Sequence, residues 1–161
     1  MDAGTLQNLQ TLDPKFRPIA LRAVDEAQKA MPTGVRIVVI EGYRSIAESN
    51  RLSAEARTGP RAVPGGKSYH NYGLAFDIEM YASGRQITRV DANWLKVVSI
   101  MKKYGMAWGG DFRSNYDPGH FEMSFGQSWQ GLLAQYTPGK PANKLLIAGL
   151  IIAALLIYWI V

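Results

Sequence analysis

The chain contains two histidines, and each stands beside carboxylates in a turn that carries glycine: Ser68-Tyr-His70-Asn-Tyr-Gly73-Leu-Ala-Phe-Asp77 and Asp117-Pro-Gly-His120-Phe-Glu122. A catalytic zinc takes about three protein ligands from His, Asp or Glu and keeps a fourth position for water. His70, Asp77 and His120 supply such a set. There is no cysteine, so disulfides, thiol nucleophiles and thiolate metal sites are excluded, and a transition metal must rely on imidazole and carboxylate. Pro118-Gly119 rules out the helix that a HExxH-type zinc site needs. Asp117 and His120 must therefore meet through a turn that leads into a strand. A single His-x6-Asp pair would by itself read as structural; two such strings make the metal reading the stronger one.

The elements that must position these residues follow from periodicity. Asp13-Pro14, then Phe16, Ile19, Ala20, Ala23, Val24 and Ala27, predict a helix over about 14–31, with Pro14 at its first position. After the break at Pro32 to Gly34, the β-branched run Val35 to Ile40 predicts a buried strand ending at Gly42. Ser45 is placed to cap a helix through about Arg57, with Glu48 in the capping-box position. Gly59, Pro60, Pro64, Gly65 and Gly66 then form a loop that leads into Ser68 and His70. From Leu74 the pattern alternates, with Leu74, Phe76 and Ile78 on one face and Ala75, Asp77 and Glu79 on the other. A second alternation sets Phe121, Met123 and Phe125 against His120, Glu122 and Ser124. Between them, Asp91 to Tyr104 reads as a helix stopped by Gly105, and Met106 to Phe112 as a short strand and turn. Two strands thus hold ligand-type side chains opposite their apolar faces. Trp108 and Tyr72 read as packing or as cleft wall.

These strings resemble the D-alanyl-D-alanine carboxypeptidase family of zinc peptidases, in particular the phage endolysins that cut L-alanyl-D-glutamate bonds. The resemblance rests on S-x-H-x-x-G-x-A-x-D at Ser68 to Asp77, D-x-x-H-F-E at Asp117 to Glu122, Trp108-Gly-Gly110 and Gly42-Tyr-Arg44-Ser45, and spans about residues 14–135. It implies an α+β fold in which a small antiparallel sheet flanked by helices carries a zinc site in a cleft. It implies zinc on His70, Asp77 and His120, Asp117 as the general base, and Arg44 and Ser68 as substrate contacts. The zinc ion would polarise the scissile carbonyl and lower the pKa of water toward ~7, while Asp117 takes the proton and returns it to the leaving amine. Arg44 suits a substrate carboxylate or the developing oxyanion. Glu122 is a rival base, read here as a support that orients His120. The implied activity is hydrolysis of peptidoglycan stem peptides, as an L-alanyl-D-glutamate endopeptidase acting in host lysis. The alternatives are a D,D-carboxypeptidase and a non-catalytic, zinc-stabilised wall-binding module.

The net charge of +5 resides entirely in the first 144 residues, but Lys and Arg are scattered, and no nucleic-acid partner is expected. Apolar content of 47% and charged content of 19% belong to a folded chain. Residues 1–137 are expected to form the peptidase domain and 138–144 a linker. The seventeen uncharged residues Leu145 to Val161 are near the short limit of ~17–25 for a spanning helix and are read as a transmembrane helix, with Lys140 and Lys144 at one end and Tyr158-Trp159 at the other. A buried core helix is the other reading of so apolar a segment. The N-terminus lacks the pattern of a secretory signal. The expected location is the host inner membrane, with a single-pass C-terminal anchor, the peptidase domain initially cytoplasmic, and an indirect holin-type lysis partner.

Overall fold

The computed structural model describes residues 1–55 and 63–136. Helix α1 (Ala3–Gln10) starts where the Asp2 carboxylate accepts from Thr5 N, and it buries Thr5 and Leu9. Helix α2 (Arg17–Lys29) buries Ala20, Ala23, Val24 and Ala27 on one face. Strand β1 (Val35–Glu41) and helix α3 (Ile46–Glu55) follow, then a 3-10 turn over Tyr69–Tyr72 and strands β2 (Ala75–Ala82) and β3 (Arg85–Gln86). Helix α4 (Ala92–Lys103), β4 (Ala107–Trp108), a second 3-10 turn over Gly109–Asp111, β5 (His120–Glu122) and α5 (Trp129–Gln135) complete the described part.

The sheet is antiparallel in the order β1-β2-β5-β4, with β3 pairing on β2. Its apolar face packs on α1, α2 and α4. Phe16, Phe76 and Phe121 form a stacked column through this core, with ring centroids 5.8 and 5.9 Å apart, and all three are fully buried. Removing one such aromatic from water is worth roughly 1.5–3 kcal/mol, so the column fixes the register of β2 and β5 against α2. Because strand side chains alternate, seating Phe76 and Phe121 in the core turns Asp77 and His120 to the opposite face.

Several elements differ from the sequence expectations. The helix expected from Pro14 begins at Arg17, with Pro18 in its first turn, and Asp13 instead closes a turn by accepting from Lys15 N. Helices α1 and α5 and the two-residue β3 were not expected. The alternation predicted through Phe125 stops with β5 at Glu122, and Phe125 itself takes a positive φ of 50° and is 43% exposed.

The expected fold class is corrected in one respect. No helix among the described residues is long and apolar enough to cross a membrane. The longest, α2, has 13 residues, which at a rise of about 1.5 Å per residue falls well short of a ~30 Å hydrocarbon core. Among the described residues the class is α+β with a small antiparallel sheet and flanking helices, and no transmembrane helix is found there. Residues 145–161, on which that helix was expected, and the linker 138–144 lie outside the described residues.

Candidate metal centre and cleft

Cross-strand pairing assembles the site. Asp77 on β2 lies opposite His120 on β5 and, on its other side, opposite Glu41 on β1. The β1–β2 register shifts between Val39 and Glu41, and this irregularity brings Glu41 into line with Asp77. His70 arrives from the 3-10 turn capped by Ser68, whose hydroxyl oxygen accepts from His70 N at 3.3 Å. The turn ends at Gly73, whose φ of 67° favours glycine and where a Cβ would stand 2.7 Å from Asp13 N.

Three ligand-type atoms converge. His70 Nε2 lies 3.2 Å from Asp77 Oδ1, His120 Nδ1 lies 3.0 Å from the same oxygen, and the two nitrogens are 3.1 Å apart. The outer nitrogens are already committed. His70 Nδ1 donates to Gly42 O at 2.7 Å, and His120 Nε2 donates to Glu122 Oε2 at 2.9 Å. With those tautomers both inner nitrogens turn lone pairs toward Asp77 Oδ1, an arrangement that needs a cation or a proton at its centre. Ligands at ~2.0–2.1 Å around a tetrahedral zinc would stand about 3.3 Å from one another, close to the observed triangle. His70, Asp77 and His120 therefore fit a divalent metal such as zinc.

The electrostatics agree. Burial alone would lower the pKa of His120, but hydrogen bonds to Asp77 and Glu122 raise it to about 9. Burial likewise opposes ionisation of Asp77, yet its close contacts with the His120 and His70 imidazoles hold its carboxyl well below the usual carboxylate range. In the absence of a metal, a proton on His120 balances the Asp77 charge. Asp117 shifts the other way: burial and the nearby Asp77 charge push its carboxyl up.

A cleft of about 640 Å³ opens over this triangle and is lined by Arg44, Ser68, Asp117 and Glu122 as well as by the three converging residues. All seven residues singled out from the sequence therefore border one cavity. Trp108 and Tyr72 do not line it. Trp108 Nε1 and Trp94 Nε1 both donate to Pro118 O, at 2.8 and 3.3 Å, and so fasten the turn that carries Asp117 into His120. Tyr72 donates through its hydroxyl to Gly66 O at 2.7 Å. Gly109 completes the support, since Gly109 O accepts from Asp117 N and a Cβ at Gly109 would meet Asp117 O at 2.3 Å.

Two supporting residues carry no sequence signal of their own. Glu41 grips Arg44 in a two-pronged ion pair, with Arg44 Nε donating to Oε1 at 2.6 Å and NH2 to Oε2, while NH2 also lies 3.6 Å from Asp77 Oδ2. Asn71, 1% exposed, donates to Arg44 O and Ser49 Oγ and accepts from Gly66 N. It joins the Arg44 segment, α3 and the His70 turn through one satisfied amide. Its neighbours His70 and Gly73 in the same string were the only hint available.

Residues 62–123 match the D-alanyl-D-alanine carboxypeptidase family. The peptidoglycan L-alanyl-D-glutamate endopeptidase CwlK of Bacillus subtilis (strain 168) is 36% identical over 124 residues, covering 67% of this chain and 73% of that protein. In fold, the chain is similar to the Serratia marcescens L-Ala D-Glu endopeptidase ChiX, with a TM-score of 0.55 and 22% identity over 78% of this chain and 90% of the other. It is also similar in fold to the vancomycin-resistance D,D-dipeptidase VanXYg, with a TM-score of 0.53 and 17% identity over 77% of this chain and 58% of the other.

Proposed function

Because the chain belongs to the D-alanyl-D-alanine carboxypeptidase and L-alanyl-D-glutamate endopeptidase family of zinc peptidases, we propose that it hydrolyses peptide bonds in bacterial peptidoglycan, cutting stem peptides between L-alanine and D-glutamate. The observation that carries this reading is the triangle of His70 Nε2, Asp77 Oδ1 and His120 Nδ1 at the floor of a cleft, with edges of 3.0–3.2 Å. The bond assignment is supported by the endopeptidase relative, which shares more than a third of its aligned residues with this chain.

In this reading His70, Asp77 and His120 hold one zinc ion. When bound, zinc supplies Lewis acidity, polarising the scissile carbonyl and acidifying water. The Asp117 carboxylate takes a proton from the attacking water at the cleft wall and passes it to the leaving amine. Glu122 holds the Nε2 proton of His120, which leaves Nδ1 bare toward the metal. Arg44, fixed along its Nε edge by Glu41, presents its remaining N–H groups to the substrate, where a guanidinium stabilises developing negative charge on the carbonyl oxygen. The Ser68 oxygen accepts from the turn backbone, so its hydroxyl hydrogen is free to donate to substrate. We further propose that the enzyme serves as an endolysin in phage-induced host lysis, a reading supported by the resemblance of the Ser68–Asp77 and Asp117–Glu122 strings to phage endolysins.

The test is digestion of purified peptidoglycan with the zinc-loaded protein, the chelated protein and Asp117→Ala, with the fragments read by mass spectrometry. New L-alanine carboxyl ends and D-glutamate amino ends, released only by the zinc form of the parent enzyme, are the expected result. Release of D-alanine alone would assign a D,D-carboxypeptidase instead. The lysis role predicts loss of turbidity when the protein is added to permeabilised bacteria, and unaltered turbidity would refute that role.

A further inference from the structure

Among the cleft's charged side chains, nearly every one is already engaged. Arg44 is gripped along one edge by Glu41 and faces Asp77 with the same NH2, Glu55 pairs with Arg51, and Glu122 holds His120. Lys67 is different. It lines the cleft, is exposed, and has no acidic partner among the described residues.

The backbone around Lys67 is nonetheless pinned. Its own N–H donates to Pro64 O, the preceding Gly66 is held by Asn71 and Tyr72, and the following Ser68 caps the His70 turn. The ammonium sits 5.6 Å from the centroid of the Trp129 ring, a cation–π contact that holds the charge at an exposed position. A cation is thus placed three residues ahead of His70, in the cleft that the metal-binding triangle also lines, with no acidic side chain paired to it among the described residues.

The substrate supplies the matching group. A glutamyl residue has two carboxyl groups and continues its chain through one, so D-glutamate on the leaving side of the scissile amide carries a free carboxylate close to the reacting nitrogen. We propose that Lys67 is the specificity-determining residue of this cleft and receives that leaving-side carboxylate. The inference rests on the peptidase reading above. It also makes a demand independent of which bond is cut, since a C-terminal D-alanine leaving group would likewise bring a free carboxylate.

The experiment compares the zinc-loaded full chain with Lys67→Met and Lys67→Arg on two stem peptides that differ only in whether the free carboxylate of D-glutamate is left as the acid or converted to the amide. For the parent enzyme, amidation should raise KM about tenfold with little change in kcat, the size expected for one charge-assisted contact. Lys67→Met should bind the acid as poorly as the amide and no longer distinguish them, and Lys67→Arg should restore the preference. A preference for the acid in Lys67→Met equal to that of the parent overturns the proposal. If the parent cuts only a D-alanyl-D-alanine peptide, the bond assignment fails while Lys67 is judged by the same comparison at the terminal carboxylate. Cleavage of neither peptide class overturns both.

Discussion

Glu41 and Arg44 lie three residues apart at the end of β1 and are joined along a full guanidinium edge, with Arg44 Nε donating to Glu41 Oε1 at 2.6 Å. Arg44 is only 11% exposed in its side chain, and its NH2 also faces Asp77 Oδ2 at 3.6 Å. The hydrogen bonds that Arg44 donates to Glu41, and the charge of that carboxylate, raise the already high pKa of Arg44, so this cation is permanent. Glu41 and Asp77 therefore share one positive charge, and Glu41 holds the nearer part of it.

Removing that grip should let Arg44 collapse onto Asp77. Glu41→Gln is expected to weaken zinc affinity about 10-fold or more, the scale seen when groups that orient metal ligands are lost, and to lower kcat as Arg44 leaves its position. Competition with a chromophoric chelator measures the first effect. Unchanged zinc affinity would show that Glu41 does not shield Asp77.

Asp117→Asn should lower kcat by about 10²–10⁴-fold, the usual weight of a positioned general base, with zinc content unaltered because Asp117 is not one of the three converging residues. The pH profile supplies the sign. A base works deprotonated, and Asp117 is pushed up by burial and by Asp77, so the acidic limb of kcat/KM should lie above the ordinary carboxylate value near ~3.9. In Asp117→Asn that limb should vanish, with zinc content measured at each pH to separate it from metal loss.

The metal-free protein should lose stability as pH rises. His120 has a folded-state pKa raised to about 9 from the ordinary 6.5 of histidine. Its contribution is full below pH 6.5 and disappears as pH climbs through about 9. The depressed pKa of Asp77 adds no slope in that window, because its contribution is fully present there and is lost only as pH falls below the ordinary carboxylate range. Zinc requires neutral His120, so stabilisation by zinc should grow over the same interval. Thermal melts with and without chelator from pH 6 to 10 test both slopes, and parallel curves would contradict the shared site.

Gly109→Ala should cost about 1–3 kcal/mol through overpacking, because its Cβ would meet Asp117 O at 2.3 Å and His120 Cβ at 2.9 Å. Activity should fall further than stability accounts for, since the same clash displaces Asp117. A denaturant titration alongside kcat separates the two.

Glu122→Ala should weaken zinc binding 10–100-fold, whereas Glu122→Gln, which can still accept from His120 Nε2, should lose less. Equal losses would argue for charge rather than orientation.

The histidines were legible because the sequence has only two and each stands beside a carboxylate in a turn that carries glycine. Their meeting point was not, since convergence depends on the pairing of Asp77 with His120 across β2 and β5. Glu41 was invisible for the same reason: its part in the site follows from a register shift in β1, and periodicity counts along a strand rather than across it. Helix α1 escaped notice because it has few apolar residues, and its burial rests on Thr5 and Leu9 alone. Phe125 shows the opposite error, in which an alternation is carried past the point where pairing ends. Asp13-Pro14 illustrates a local ambiguity, because the same dipeptide suits a helix start and a turn, and Pro18 was the better placed of the two prolines.

The two indoles that grip the Pro118 carbonyl also make the enzyme its own optical gauge. Indole emission shifts with the hydrogen bonding and polarity around its nitrogen, so Trp94 and Trp108 fluoresce according to whether the segment between Asp117 and His120 is seated. Release of the Pro118 carbonyl from either indole should therefore register as a shift in the emission of the unlabelled protein.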